Sequence, residues 1–381
     1  MKIAVDVRTV SPNRSGVGNY VLNLIQNLKE VDEGPVYHLL GQKKNFPLLG
    51  ELGPKQKPLE TLFSPENHPL SDIWEHFVLP LRLKARGIDV FHGPASLIPF
   101  KKDQYAVVVT IHDLVAFLFS ETIPRKYGVY MRYLLRQAVN KADKIIAVSR
   151  HTQKDLIEIL RVPEEKIVVV HEAPSPIFRP LDKAEAQNRI REKYGIKKKY
   201  IYHLGNIEPR KNLIVLLEAF TRVSQELGDE YQLVVSGQRG WLVRALRQFF
   251  KHYPMRDRVL FTGYVPLGDI PWFMNGADLF VFPSLYEGFG LPVLEAMSCG
   301  TPVISSKRSS IPEIVGSAGV LVDPTDRREL ADRIVGLLRD PLELKRLSQA
   351  GIEQAGRFTW RETARKTLEV YRSVYFHENP V

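Results

Sequence analysis

Short β-branched and aromatic runs alternate with amphipathic stretches from one end of the chain to the other. Residues 2–7 (KIAVDV) read as a strand. Residues 19–30 then set Val21, Leu22, Leu24, Ile25 and Leu28 at the spacing that gives a helix one apolar face. Further strands are expected at 89–91, 106–111, 144–148 and 168–170, with a helix over 126–140. Such alternation predicts a parallel sheet covered by helices on both faces. Pro174, Pro176 and Pro180 then interrupt the pattern, and a polar helical stretch follows to Tyr194, which reads as a linker. The alternation restarts at 200–204 and continues through 232–235, 259–261, 279–282, 303–304 and 320–322. A long helix from about 359 to 376 ends the chain. The pattern therefore predicts an α/β protein of two doubly wound, Rossmann-like halves, with a cleft between them. In open parallel sheets ligands sit at the carboxyl ends of strands, so the loops after strands carry the candidate chemistry.

Length agrees with two halves, because 381 residues exceed what one hydrophobic core usually organises. The divisions expected are 1–172, a linker at 173–198, 199–357, and a final helical segment at 358–381. Hydrophobic residues make up 44% and charged residues 25%, which excludes wholesale disorder. No apolar run approaches the ~18 residues of a membrane span. Met1 leads straight into a strand without the layout of a signal peptide, and a single cysteine, Cys299, excludes an internal disulfide. The chain reads as cytoplasmic. A formal net charge of +10 favours anionic partners, and by itself does not choose among nucleic acid, anionic lipid and phosphorylated small molecules.

Three loops narrow the choice. The first, 15–20 (SGVGNY), joins the first strand to the first helix. Gly16 and Gly18 there let backbone N–H groups approach a phosphate, although the third glycine of a dinucleotide fingerprint is replaced by Val21. The second, 205–212 (GNIEPRKN), sets Arg210 and Lys211 at the start of a helix. Cations are disfavoured at that end by about 0.3–1 kcal/mol each, so two of them together point to a bound anion. The third, 283–295 (PSLYEGFGLPVLE), holds Glu287 in a glycine-punctuated loop and Glu295 on the expected first turn of a helix. Those carboxylates suit sugar hydroxyls, and the N–H groups near Phe289, Gly290 and Leu291 suit an anion. Taken residue by residue, a basic surface turn and a first-turn acid remain open as structural readings.

The order and spacing of these loops resemble a retaining glycosyltransferase of family 4 (group 1), of the GT-B fold class. Glu287 and Glu295 match its E-x7-E element, 209–212 its basic diphosphate site, and Gly16 and Gly18 its glycine loop. Residues 74–80, 149–156 and 306–313 resemble the bacterial mannosyltransferase-like branch. The resemblance implies an N-terminal acceptor-binding domain, a C-terminal nucleotide-sugar domain, and a last helix packing toward the N-terminal domain. It implies that Arg210 and Lys211 bind a donor diphosphate, that Glu287 holds donor-sugar hydroxyls and Glu295 the ribose. Gly237, Gly263 and Tyr264 would flank the nucleobase, and His112 would face the reacting sugar. On this reading His112, Glu287, Arg210 and Lys211 are the catalytic set. Many relatives carry arginine where this chain has Asn206, so the donor's negative charge falls to Arg210 and Lys211.

The implied activity is transfer of a hexosyl group, mannose from GDP-mannose first and UDP- or dTDP-sugars next, with retention of configuration. The acceptor would be a saccharide or lipid-linked saccharide used in cell-surface polysaccharide or glycolipid synthesis. No cofactor and no metal are expected, and the chain has no Asp-x-Asp. The cation- and tyrosine-rich segment 125–161 fits peripheral contact with an anionic membrane, or else a solvated helix face. A non-catalytic sugar-nucleotide-binding protein of the same fold stays open as an alternative. A nucleic-acid-binding protein lacks its expected motifs, and a nicotinamide dehydrogenase lacks the third glycine.

Overall fold

The computed structural model describes residues 1–12, 16–31, 34–63, 73–99, 101, 104–122, 124–238, 243–253 and 255–378. The chain divides into two compact units, Met1–Glu172 with Thr359–Val381, and Ala173–Phe358.

The first unit is built on strands β1 (Lys2–Asp6), β2 (Val36–Gly41), β3 (Gln56–Glu60), β4 (Val90–Gly93), β5 (Ala106–Ile111), β6 (Lys144–Ala147) and β7 (Ile167–Val169). All pair in parallel, in the order β3-β2-β1-β4-β5-β6-β7. β2 and β3 are additions to the expected pattern. β3 carries Pro58 and exposed Lys57, which break the strand signature, and it tolerates them because it lies at the sheet edge with β2 as its one partner. The helices Gly16–Val31, Arg125–Lys141 and Arg150–Leu160 follow β1, β5 and β6. Ser149 starts the last of them by accepting a hydrogen bond from the Thr152 N–H at 3.0 Å, and left-handed Arg161 stops it.

The final helix, Trp360–Glu378, belongs to this unit and packs on Gly16–Val31. Ala364, Leu368, Tyr371 and Val374 are its buried stripe. Its polar ties reach the sheet directly: the Tyr371 hydroxyl lies 2.7 Å from His92 Nδ1, and Thr363 donates to the His171 carbonyl at 2.8 Å. Past the end of β1, fully buried Arg8 bonds Asp6 at 2.6 Å and Glu75 at 2.9 Å, fastening the helical segment that starts at Trp74.

The second unit repeats the plan with β8 (Lys199–Leu204), β9 (Tyr231–Ser236), β10 (Val259–Gly263), β11 (Leu279–Phe282), β12 (Val303–Ser306) and β13 (Val320–Val322). Its parallel order is β10-β9-β8-β11-β12-β13. The order reverses between β8 and β11, the switch point where such a sheet opens a crevice at the carboxyl ends of its strands. Residues 173–198, expected as a linker, are built into this unit. The helix Lys183–Tyr194 docks there by its Tyr194 ring, 4.7 Å from that of Phe273, and by Gln187 donating to the Gly276 carbonyl at 3.0 Å. A continuous apolar layer including Leu213, Leu217, Phe220, Leu233, Val281, Ile304 and Ile334 fixes the sheet beneath its helices.

Candidate functional site

Adjacency of β8 and β11 brings the second and third candidate loops together. The loop after β8 turns into a 3-10 helix, Pro209–Lys211, and then into the helix Leu213–Glu226, whose cap is left-handed Asn212. Arg210 and Lys211 therefore stand on the turn ahead of the helix instead of on its first turn. The Asn212 amide donates to the carbonyls of Pro283 and Pro324, and the Leu285 N–H donates to the Arg210 carbonyl at 2.8 Å. One backbone bond and the Asn212 side chain thus tie the two loops together before any charge is counted.

Glu287 is the centre of the charge arrangement. Its Oε1 accepts from Lys211 Nζ at 2.6 Å and Ser284 Oγ at 2.6 Å, and lies 3.1 Å from Arg210 Nη1. Arg210 also bonds the Tyr286 carbonyl and Glu208, both at 2.6 Å. Burial alone would raise the Glu287 pKa, but the Lys211 ammonium and Arg210 guanidinium outweigh it and hold the carboxyl at about 2. Two cations and two carboxylates balance here. These three bonds of the Glu287 carboxylate fall on Oε1, which leaves acceptor capacity on Oε2. Beneath the pair lies His203, whose Nδ1–H donates to the Val281 carbonyl at 2.9 Å; burial pulls it down to about 4, so it is neutral.

Serines 309 and 310 hold the Glu287 loop. Ser310 Oγ donates to the carbonyls of Glu287 at 2.9 Å and Phe289 at 2.6 Å, and Ser309 Oγ accepts the Glu287 N–H at 3.0 Å. Gly290 caps the helix Leu291–Ser298 with φ of 112°, a left-handed conformation suited to glycine. Glu295 is half-buried one turn into this helix, so it is not the first-turn acid that the sequence led us to expect. The turn begins at Leu291, one residue earlier than Pro292 implied.

Three glycines line the carboxyl edge beside this cluster. The Gly205 N–H bonds Ser236, and the Gly237 N–H bonds Gly263 at 2.8 Å. Gly237 is explained by packing: a Cβ there would stand 2.0 Å from the Gly205 carbonyl oxygen, and its φ is 147°. Gly263 borders open space, Tyr264 is exposed, and Asn206 is exposed with its carbonyl accepting the Glu208 N–H. A separate cavity of about 320 Å³ opens at the amino ends of β11 and β12, the wrong end of the sheet for the cation pair.

In the first unit, Gly16 begins the helix after β1 with open space around it, and Gly18 is buried; Ser15 lies outside the described residues. His112 follows β5. Its Nδ1 lies 2.7 Å from Glu172 Oε1 and its Nε2 2.8 Å from the Pro94 carbonyl. Burial by itself disfavours the imidazolium, yet the bond and charge of Glu172 prevail and the pKa rises. Tyr20 meets the ring edge-on at 4.8 Å.

Sequence reasoning missed Glu172, Glu208, Ser284, Ser309 and Ser310. Single polar residues beyond strand ends have no periodic signature, and Ser309–Ser310 sat unassigned within 306–313. Among the described residues no cluster of three or more His, Cys, Asp or Glu is placed to hold a metal ion, and no helix is long and apolar enough to cross a membrane.

The profile described as glycosyl transferases group 1 matches residues 186–354, and that of Glycosyltransferase Family 4 matches residues 14–173. The O-antigen chain mannosyltransferase B of Escherichia coli is 30% identical over 391 aligned positions, covering 98% of this chain and 100% of that protein. The serotype-specific mannosyltransferase WbdA of Escherichia coli is 31% identical over 282 positions, covering 72% of this chain and 34% of its own length. Among solved structures, sucrose-phosphate synthase from Thermosynechococcus elongatus shares the fold, with a TM-score of 0.77 over 99% of both chains at 21% identity.

Proposed function

The chain belongs to glycosyltransferase family 4, in the bacterial mannosyltransferase-like branch with the GT-B pair of Rossmann-like domains, and on that premise we propose a retaining mannosyltransferase using GDP-mannose. The acceptor in this reading is a saccharide or lipid-linked saccharide of cell-surface polysaccharide synthesis, at the cytoplasmic face of the membrane. The observation that carries it is the cluster of half-buried Arg210 with buried Lys211 and Glu287 at the β8/β11 switch point.

Arg210 and Lys211 take the donor's diphosphate, exchanging their present carboxylate partners for phosphate oxygens. Their fixed charges stabilise the leaving group as it gains negative charge. Glu287 Oε2 accepts a donor-sugar hydroxyl, and Glu295 accepts from the ribose. The bond from the anomeric carbon to phosphate oxygen breaks while the bond to the acceptor oxygen forms on the same face. The acceptor's proton passes to the departing phosphate. A retaining glycosidase instead sets two carboxylates about 5–5.5 Å apart for a covalent intermediate. In this reading Glu287 accepts from sugar hydroxyls and has no nucleophilic role. No metal is needed where two protein cations meet the diphosphate. Calorimetric titration with GDP, UDP, dTDP and ADP, followed by mass-spectrometric detection of transfer from the matching sugar nucleotide, tests this reading. Binding of none of them, together with no transfer, would leave a non-catalytic family member.

A separate surface feature supports a reading of membrane contact. The helix Arg125–Lys141 exposes Tyr127, Val129, Tyr130 and Tyr133 beside Arg125, Lys126 and Arg136, with no acidic residue along its length. Tyrosines suit the headgroup layer, and each cation near an anionic surface contributes about 1 kcal/mol.

A further inference from the structure

His112 bridges three strand ends. It leaves β5, reaches Pro94 just past neighbouring β4, and reaches Glu172 beyond β7. The approach of Pro94 is imposed by a tight turn, since a Cβ on Gly93 would stand 2.0 Å from the Leu97 carbonyl oxygen. Both ring nitrogens therefore face acceptors. A carbonyl has no proton to give, so Nε2 must carry one. Glu172 is buried against Nδ1 at 2.7 Å, and its bond and charge favour the protonated ring against the cost of burial, so the shared proton belongs to the ring. A free general base needs an unprotonated nitrogen, and this ring has none.

We propose that Glu172 is a positioning residue that keeps His112 doubly protonated and pivots the ring on Nδ1, so that Nε2–H is a donor to a ligand oxygen that replaces the Pro94 carbonyl. The ligand oxygen belongs to a sugar hydroxyl, and this step rests on the glycosyltransferase reading above. The charged groups around the ring fit the assignment. Asp113 follows it in the chain and favours the charge. Tyr20, from the helix Gly16–Val31, is held neutral by burial and presents a ring edge. His92 on β4 is pulled down to about 3 by burial and by His112, and it bonds Tyr371 of the final helix and Thr110. From the helix Arg150–Leu160, His151 and Asp155 pair with each other at 3.6 Å, and Thr152 approaches the His112 carbonyl. One histidine of the layer is thus charged and its neighbour is neutral.

The test has two arms on the full-length protein. Imidazole nitrogen NMR of the wild type at pH 7.5, assigned with His112→Gln, should show both ring nitrogens of His112 protonated. A neutral tautomer there overturns the proposal, and this arm needs no activity. In the second arm, Glu172→Gln should lower the pKa of His112, so that kcat falls about tenfold between pH 6 and pH 8 where the wild type stays level, with Glu172→Asp restoring most of it. A variant profile parallel to the wild type's overturns the proposal, whatever its absolute rate. If no sugar nucleotide supports turnover, the transferase reading fails while the NMR arm still judges the role of Glu172.

Discussion

Replacing Lys211 by methionine separates the two tasks of the cation cluster. Methionine keeps the chain length and the packing over Phe282, where Lys211 Nζ now lies 5.0 Å from the ring centroid. What disappears is the ammonium 2.6 Å from Glu287 Oε1. Orphaning a buried carboxylate costs about 3–5 kcal/mol when nothing else compensates. Arg210 at 3.1 Å and Ser284 at 2.6 Å remain, so the expected loss of stability is smaller, about 1–3 kcal/mol. Glu287→Gln in the same chain removes the stranded charge and should recover most of it. Nucleotide binding behaves differently. A charge-assisted bond to a diphosphate contributes about 1.5–3 kcal/mol, so the Kd for the cognate nucleoside diphosphate should rise about 10- to 150-fold. Glu287→Gln should not restore that affinity, because a neutral glutamine does not supply the missing positive charge. Urea unfolding reads the first quantity and calorimetry the second. If Lys211→Met binds the diphosphate as tightly as the wild type, the phosphate site is misplaced. If the double variant regains affinity along with stability, the effect was one of folding.

Stability should also report the Glu287 carboxyl. Its pKa is depressed from 4.5 to about 2, so its contribution is complete above the ordinary carboxylate range and is lost as pH falls through about 2, to the extent of about 3 kcal/mol. Denaturation midpoints between pH 5 and pH 2 should show that loss diminished in Glu287→Gln. Gly237→Ala forces a Cβ to within 2.0 Å of the Gly205 carbonyl at a left-handed φ, so it should destabilise the second unit by several kcal/mol and weaken nucleotide binding; an unchanged urea midpoint would contradict the close approach. Turnover should persist in excess EDTA, and strict dependence on added Mg2+ or Mn2+ would refute a diphosphate held by protein cations alone. Co-sedimentation with phosphatidylglycerol vesicles should fall on replacing Tyr127, Tyr130 and Tyr133 by serine, while phosphatidylcholine vesicles bind neither form.

The sequence by itself determined the repeating βα plan, because buried parallel strands and amphipathic helices each leave a periodic hydrophobic trace. Strands 106–111, 279–282 and 320–322 were legible to the residue or nearly so, and β3, with Pro58 at a sheet edge, was not. The basic turn at Arg210 and Lys211 and the acid at Glu287 were legible as residue types in loops after strands. Tertiary structure alone decided that these three meet. Their partnership depends on β8 and β11 being neighbours across a reversal of strand order, and nothing local encodes a pairing of residues separated by 76 in sequence. The same holds for His112. Its neighbours in sequence say nothing of Glu172, 60 residues away, and its charge is set by that carboxylate and by the Pro94 carbonyl. Local sequence fixes which groups are present and the elements that carry them. Their protonation and pairing follow from long-range packing, where burial raises the cost of an unpaired charge and the nearest partner decides its state.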